Sequence, residues 1–223
     1  MCGRYTLAVQ LDLIADRFAS VAEFDKLAPR FNIAPGQLAP VVVASEEKRR
    51  LRMMKWGLIP SWAKDESIGY KMINARAETL AEKPSFRKAL ELRRCIIPAD
   101  GFYEWRKEPD GKSKTPMRIV LKDRSIFGLA GLWERWKSPD GEEVLTYTIV
   151  TTTPNSLLES VHNRMPVILT REAEDLWLGT GARSAGAPAQ VLKPYPTDQM
   201  EMFAVSRAVN NPRTDIPECV EPV

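Results

Sequence analysis

Histidine is nearly absent from this sequence: among 223 residues only His162 carries an imidazole. Any chemistry that needs a histidine near neutral pH must use that one. Cysteine is scarce too, at Cys2, Cys95 and Cys219. An odd count at wide spacing does not form a disulfide framework. Without closely paired cysteines, and with a single histidine to complete a set, a zinc site is not expected. No stretch approaches the ~18 consecutive apolar residues of a membrane span. The start, Met1-Cys2-Gly3-Arg4-Tyr5, lacks the basic-then-apolar order of a secretory leader. A cytoplasmic or nucleoid-associated protein that avoids membranes is therefore expected. A strong excess of one charge is also missing: 32 Lys and Arg against 29 Asp and Glu leave +3. That balance permits nucleic acid as a partner without demanding it. Internal repeats and low-complexity segments are lacking as well.

What is present is an ordinary globular balance, 44% hydrophobic and 27% charged. The length suits one large domain, and no linker divides it, so residues 1–223 are expected to form a single unit. Apolar spacing predicts a helix over 9–20, with Leu11, Ile14, Ala15 and Phe18 on one face. Strands are predicted over 40–44 and 51–57, with 45–50 as a solvated turn. A short helix is predicted over 84–92, Pro84 standing near its first position. Beyond Cys95 the pattern turns to strands, at 94–99, 102–107, 117–122, 126–133 and 144–152. Pro109-Asp110-Gly111 and Pro139-Asp140-Gly141 supply hairpin turns between neighbours. A short helix over 154–161, a strand over 165–169, a helix over 171–178 capped by Thr170, a loop over 179–188 and a strand over 202–205 complete the series. Strands in succession with short turns and few helices imply an α+β fold: a mostly antiparallel, barrel-like sheet flanked by short helices.

Several residues offer chemistry. Removal of Met1 would leave Cys2 with a free α-amine and a thiol, with ordinary pKa values of about 7.7–8.0 and about 8.5. Such a 1,2-aminothiol condenses with an aldehyde to an imine, and the thiol then closes a thiazolidine. It can instead attack a peptide carbonyl, as N-terminal nucleophiles do. Position alone also allows Cys2 to be merely the second residue of a start. His162, between Val161 and Asn163-Arg164-Met165-Pro166, can act as acid or base or simply sit at a surface junction. Glu104 alternates with Tyr103 and Trp105 and shares a strand face with Phe102. If buried there its pKa rises and it suits proton transfer; if not, it is a solvated strand carboxylate. Asn74 and Arg76 lie two apart, so an extended backbone shows both on one face, either toward a polar ligand or toward solvent. Trp56 and Trp62 stand near Arg52, Lys55 and Lys64, a pattern that stacks bases beside a phosphate backbone or fills a core.

Taken in order, these blocks resemble one family. Met1-Cys2-Gly3-Arg4-Tyr5, Asn32-Ile33-Ala34-Pro35, Trp56-Gly57-Leu58-Ile59-Pro60 and Ile73-Asn74-Ala75-Arg76-Ala77-Glu78-Thr79 are similar to motifs of the SRAP family (SOS-response-associated peptidase-like, abasic-site processing proteins). So are Pro98-Ala99-Asp100-Gly101-Phe102-Tyr103-Glu104-Trp105, His162-Asn163-Arg164-Met165-Pro166 and Val205-Ser206-Arg207-Ala208-Val209-Asn210. The resemblance runs nearly the whole length. It implies a single α+β domain around a barrel-like sheet, needing neither metal nor organic cofactor. It implies a partner, single-stranded DNA containing abasic sites, which the protein shields by a covalent crosslink. By resemblance Cys2 is the crosslinking residue, Asn74 holds the opened sugar, Glu104 lies beside the N-terminal amine, and His162 assists ring opening. Arg4, Arg76 and Arg164 are then expected at phosphates, and Pro35 and Trp62 at bases. Near Trp62 the family often has two adjacent aromatics, where this chain has Ala63, so one stacking surface is smaller.

Two other functions fit parts of the pattern. A thiol peptidase, or self-processing hydrolase, would use Cys2 against a peptide bond. A non-enzymatic single-strand binder would bind reversibly, salt-sensitively and without regard to abasic sites.

Overall fold

A computed structural model describes residues 2–45, 48–179 and 188–223. In chain order the strands are β1 (Tyr5–Leu7), β2 (Ser20–Ala22), β3 (Arg30–Ile33), β4 (Leu38–Ala44), β5 (Arg49–Trp56), β6 (Asn74–Arg76), β7 (Arg94–Ala99) and β8 (Gly101–Lys107). There follow β9 (Lys114–Leu121), β10 (Phe127–Lys137), β11 (Glu143–Thr152), β12 (Met165–Pro166), β13 (Ile168–Leu169) and β14 (Met200–Ala204). The helices are short: α1 (Leu11–Arg17), α2 (Pro84–Leu92), α3 (Ser156–Glu159), α4 (Arg171–Leu178) and α5 (Pro188–Val191). Among the described residues no helix is long and apolar enough to cross a membrane.

Five strands pair in the order β11-β10-β7-β4-β5, and a parallel pairing of β5 with β11 joins the two ends. The sheet therefore closes on itself, which removes its free edges along those strands. Its β-branched and aliphatic residues, among them Val42, Leu51, Ile96, Ile97, Leu129 and Ile149, lie in one buried core. At the closing seam Tyr147 stacks on Trp56, with centroids 6.2 Å apart and planes 10° apart. Tyr5 meets the same indole edge-on at 5.2 Å. The Tyr5 and Tyr147 hydroxyls share a buried hydrogen bond of 2.7 Å, so neither polar tip is left unsatisfied.

The second sheet has the order β14-β9-β8-β1-β3 and is antiparallel throughout. Asp100 is the single residue between β7 and β8, and it fastens β1 to this corner. Its carboxylate accepts from the Ala8 amide at 2.7 Å and from the Thr6 hydroxyl, and Arg118 closes on it at 3.3 Å.

The strand and helix expectations hold best where the apolar period is long. The helices at Pro84–Leu92 and Arg171–Leu178 and the strand Arg94–Ala99 have the expected limits. Thr170 caps its helix through a 3.3 Å bond from the Ala173 amide, and Gly179 ends it in the left-handed region at φ 72°. The first helix is shorter than 9–20, covering Leu11–Arg17, because Ala19 turns to φ 46° and Ser20 enters β2. The helix over 154–161 contracts to Ser156–Glu159, one turn capped by Asn155. The strand over 165–169 divides at Val167, whose amide bonds Val150 while its carbonyl bonds Ala130, so the segment changes partner from β11 to β10. Arg49 and Arg50, expected in a turn, open β5 instead; Glu46 and Glu47 lie outside the described residues, as do 180–187 of the Gly/Ala-rich loop. Strands β1, β2, β3 and β6 were not expected from the sequence. Each has three or four residues, too few for a period to show, and each is fixed by its neighbours.

Gly57 ends β5 at φ 120°, and a Cβ there would sit 2.7 Å from the Gly69 carbonyl oxygen. That backbone contact draws together the ends of the loop carrying Trp62. Gly57→Ala should lower stability by about 2–4 kcal/mol, from a strained φ plus a backbone clash. Urea unfolding of variant and parent measures it.

Candidate active site

Because β1 lies antiparallel to β8, with Tyr5 opposite Phe102 and the Tyr103 amide bonded to the Arg4 carbonyl at 3.0 Å, the preceding residues run along Glu104. Cys2 is fully buried, and its thiol lies 3.9 Å from the Arg4 carbonyl oxygen. Burial pushes the thiol pKa well up and the Glu104 charge adds to this, while the positive charge of the chain terminus opposes it. The ordinary thiol pKa of about 8.5 taken from the sequence is therefore corrected upward, and burial favours the protonated Cys2 sulfur.

Asn74 is brought to Cys2 by β6. The Trp56 indole donates to the Ile73 carbonyl at 2.8 Å, and β6 then pairs in parallel with β11, Asn74 opposite Ile149. This places the Asn74 side-chain amide 2.8 Å from the Cys2 carbonyl oxygen as its donor. The Asn74 Oδ1 is buried with no hydrogen-bond partner among the described residues. An orphaned acceptor beside a reactive residue is one a ligand hydroxyl could satisfy.

Glu104 is 4% exposed, in β8 opposite Met117. Burial raises its pKa, and the charges of the chain terminus and Lys114 pull it back. His162 follows α3 and is half-buried. Burial lowers its pKa, helped by the positive charges of the terminus, Lys114 and Arg164. Its Nδ1 accepts the Arg164 amide at 3.0 Å, so that nitrogen is the unprotonated one and Nε2 carries the proton of the neutral ring. At neutral pH the site thus holds a neutral imidazole, a protonated thiol and a carboxyl whose proton is easier to keep than usual. That set can move protons in both directions.

The remaining expected residues fall into two groups. Arg4 and Arg164 are engaged internally. Arg4 Nη1 donates to Asn32 Oδ1 at 3.1 Å and to the Val209 carbonyl at 2.7 Å. Arg164 forks onto Glu78 at 2.7 and 2.9 Å and reaches the Thr151 carbonyl at 2.6 Å, which ties the His162 turn to β11. Arg76, opposite Thr151, is exposed and makes no hydrogen bond or ion pair among the described residues. Pro35 is half-buried beside Gly36, whose α-carbon faces the Tyr70 ring, and Trp62 is 61% exposed. Trp56 is core, not surface.

Sequence reasoning missed Asn32. It is fully buried, and its amide nitrogen donates to the carbonyls of Val209, Asn211 and Thr214 while its oxygen receives Arg4. The Pro-rich tail is thereby folded against the start of the chain. A lone asparagine in an aromatic, turn-rich segment gives no local sign of so many partners; only the pairing of distant blocks could have shown it.

Residues 1–212 match the SOS response associated peptidase (SRAP) family. The chain is 50% identical over 224 residues to Abasic site processing protein YoqW of Bacillus subtilis (strain 168), covering 99% of each. It is 30% identical over 272 residues to Abasic site processing protein HMCES of Pongo abelii, covering 100% of this chain and 76% of that one. A crystal structure of a protein from Bacteroides thetaiotaomicron superposes with a TM-score of 0.90 at 32% identity, covering 100% of both chains.

Glu104 allows a test of its burial. A carboxyl whose folded pKa lies above its unfolded value favours the protonated folded state. Its ionisation therefore subtracts stability, beginning as pH rises past the ordinary carboxylate range and complete above the folded pKa. Glu104→Gln should match the parent at acid pH and melt higher than it at pH 8. Melting curves of both from pH 4 to 8 report the difference, and parallel curves would count against a destabilising buried charge.

Proposed function

The chain belongs to the SOS response associated peptidase (SRAP) family, and from that premise we propose that it processes abasic sites in single-stranded DNA by crosslinking them to Cys2. The observation that carries this reading is the Asn74 amide bonded to the Cys2 carbonyl, with the buried Glu104 carboxyl close enough to raise the thiol pKa. A backbone carbonyl held by a side chain fixes the orientation of the whole residue, and with it both the amine and the thiol.

The chemistry runs in balanced steps. Removal of Met1 frees the α-amine of Cys2. Deoxyribose at an abasic site is mostly a closed hemiacetal; His162 gives its Nε2 proton to the ring oxygen as the ring opens, and Nε2 then takes the hydroxyl proton, giving the aldehyde. The amine adds to C1′, and loss of water leaves an imine, with Glu104 receiving the amine proton and giving it to the departing hydroxyl. The Cys2 sulfur then bonds to the imine carbon, while its proton goes to the imine nitrogen. The product is a thiazolidine, and the net change is loss of one water. The imine is consumed, so the β-elimination that would cleave the strand has no intermediate to use. The raised Glu104 pKa suits a group that must both accept and donate near neutral pH, and the lowered His162 pKa keeps its ring neutral, so that Nε2 can take a proton back once it has given its own. The buried thiol explains the order of events: a protonated sulfur waits until the imine forms and its proton has a destination. Asn74 Oδ1 is the acceptor offered to a hydroxyl of the opened sugar. Arg4, Arg76 and Arg164 border the strand's phosphates, Arg76 with the least committed guanidinium, and Pro35 and Trp62 meet its bases.

The mature protein mixed with an abasic single-stranded oligonucleotide should give an adduct that survives heat and denaturant on a gel. Cys2→Ala should abolish that heat-stable product. Cys2→Ser, which keeps the amine, should leave only a labile imine that borohydride traps. An adduct undiminished by Cys2→Ala would overturn the proposal, and reversible binding equal for intact and abasic strands would support a simple binder instead.

A further inference from the structure

Glu78 has no task in the crosslinking chemistry, although it stands four residues after Asn74 in the same motif. Strand β6 runs beside β11 with Arg76 opposite Thr151, and the chain then winds into a single 3-10 turn, Ala77–Thr79, that presents Glu78. On the other edge of β11, Thr151 lies opposite Pro166 of β12. Thr151 thus stands between the segment that carries Asn74 and the segment that carries His162.

Arg164 bridges those two segments. Its guanidinium donates to both Glu78 carboxylate oxygens, at 2.7 and 2.9 Å, and to the Thr151 carbonyl at 2.6 Å. The Arg164 side chain is 13% exposed against 48% for Glu78, so the cation is turned inward and the carboxylate meets it from the surface. The bond from Arg164 holds the Glu78 carboxyl below the usual carboxylate range, and the Arg76 charge adds to this. A charged fork of this kind fixes the plane of the guanidinium as well as its position.

The backbone of the same arginine holds the imidazole. The His162 amide donates to the Leu158 carbonyl at 2.8 Å, and two residues on the Arg164 amide donates to His162 Nδ1 at 3.0 Å. Which nitrogen of a neutral imidazole carries the proton is set by the bond that the other one makes. A bond spanning two residues is only as fixed as the turn around it. The fork onto Glu78 ties that turn to the segment following β6, and the Thr151 carbonyl ties it to β11.

We infer that Glu78 is a positioning residue for the crosslinking reaction: by holding Arg164 it fixes the His162 turn, so that Nδ1 stays the acceptor and Nε2 carries the proton offered to the abasic sugar. The inference deepens the proposed function and takes from it that His162 works on the sugar. It also gives Arg164 a duty beyond its charge, because a lysine there would keep the cation and lose the fork.

The test uses the mature full chain and exploits its single histidine, since labelling with 15N-histidine then reports one imidazole. Two-bond proton–nitrogen correlations at pH 8, where the ring is neutral, distinguish the tautomers. The parent should show the Nε2-protonated pattern. In Glu78→Ala and in Arg164→Lys the two nitrogen shifts should move toward each other, as the tautomers mix. Loss of a whole acid–base group costs about 100-fold to 10,000-fold, and misplacing one costs part of that. The crosslinking rate at saturating abasic single strand should therefore fall roughly tenfold to a hundredfold in both variants. Affinity for a strand carrying a tetrahydrofuran abasic analogue, which cannot crosslink, should not weaken in Glu78→Ala, because only a carboxylate is removed. Glu78→Gln, which still offers one acceptor oxygen to the fork, should lie between parent and Glu78→Ala in tautomer and rate. A slower variant with the parent tautomer pattern, or a parent protonated at Nδ1, would overturn the inference. So would Glu78→Ala and Arg164→Lys variants that keep both the parent pattern and the parent rate. If the parent forms no crosslink, the crosslinking reading fails, and the tautomer shifts alone decide whether Glu78 holds the imidazole.

Discussion

Strand β1 has both of its edges paired, to β8 on one side and β3 on the other, and the site hangs from that arrangement. The first residues of a chain are ordinarily poorly ordered and pay little for it. Here Tyr5, Thr6 and Leu7 are fully buried, Asp100 fastens the turn after them, and the Tyr5 hydroxyl is locked to Tyr147. Ordering costs roughly 1–2 kcal/mol per residue in backbone entropy. Burial of the Tyr5 and Leu7 side chains offsets it at about 1.5–3 kcal/mol for a large apolar group. On the role proposed for Cys2, a reactive group near the start of the chain is useful only if that segment has one position, and the pairing of Tyr5–Leu7 supplies a fixed support for it.

The same burial sets the electrostatics. Removing Cys2 and Glu104 from water disfavours both of their charged forms, and partial burial does the same to charged His162. Each group is therefore shifted toward neutrality, the state in which a proton can be passed on with little cost. Cations moderate the shift for the carboxyl and reinforce it for the imidazole, since positive charge stabilises a carboxylate and repels an imidazolium. One arrangement of charges thus acts in opposite senses on the shifts of two unlike side chains. Asn74 stands apart from this balance. It has no charge to tune, and its contribution is geometric, through one bond to the Cys2 carbonyl and one acceptor left over.

How much of this was legible in the sequence follows from the range of each interaction. Long strands such as β10 and β11 announce themselves by period and by Pro-Asp-Gly turns, and the barrel-like sheet follows from their number and order. The closure does not, because it depends on a parallel pairing of Lys55-Trp56 with Thr146-Tyr147, segments some ninety residues apart. The candidate residues Cys2, Asn74, Glu104 and His162 were marked by their motifs, and Glu104 also by alternation beside Phe102. Their relation in space was not marked: β1 and β6 are three-residue strands whose conformation comes from the sheets they join. The arginines show the limit most clearly. Arg4, Arg76 and Arg164 look alike as basic residues in matching motifs, yet two are held by Asn32, Val209 and Glu78 while the third is exposed. A guanidinium's partners are set by tertiary contacts that spacing does not encode.

The region around the site departs from the local consistency that stabilises the rest of the molecule. Glu104 is a buried carboxyl, Asn74 keeps an unsatisfied acceptor, and Lys107 faces Lys114 across a hairpin. Each costs stability in the free protein, and none is needed to hold the fold, which rests on the closed barrel and the Trp56–Tyr147–Tyr5 cluster. On the proposed function the first two share a property: a ligand that brings a hydroxyl to Asn74 and a proton partner to Glu104 would relieve both. Unfavourable terms in the free protein that vanish in the complex add to binding, because the ligand interacts with a state it improves. Asn74 and Glu104 both act on Cys2, and that convergence, rather than the number of such features, is what distinguishes a candidate site from scattered imperfections of packing.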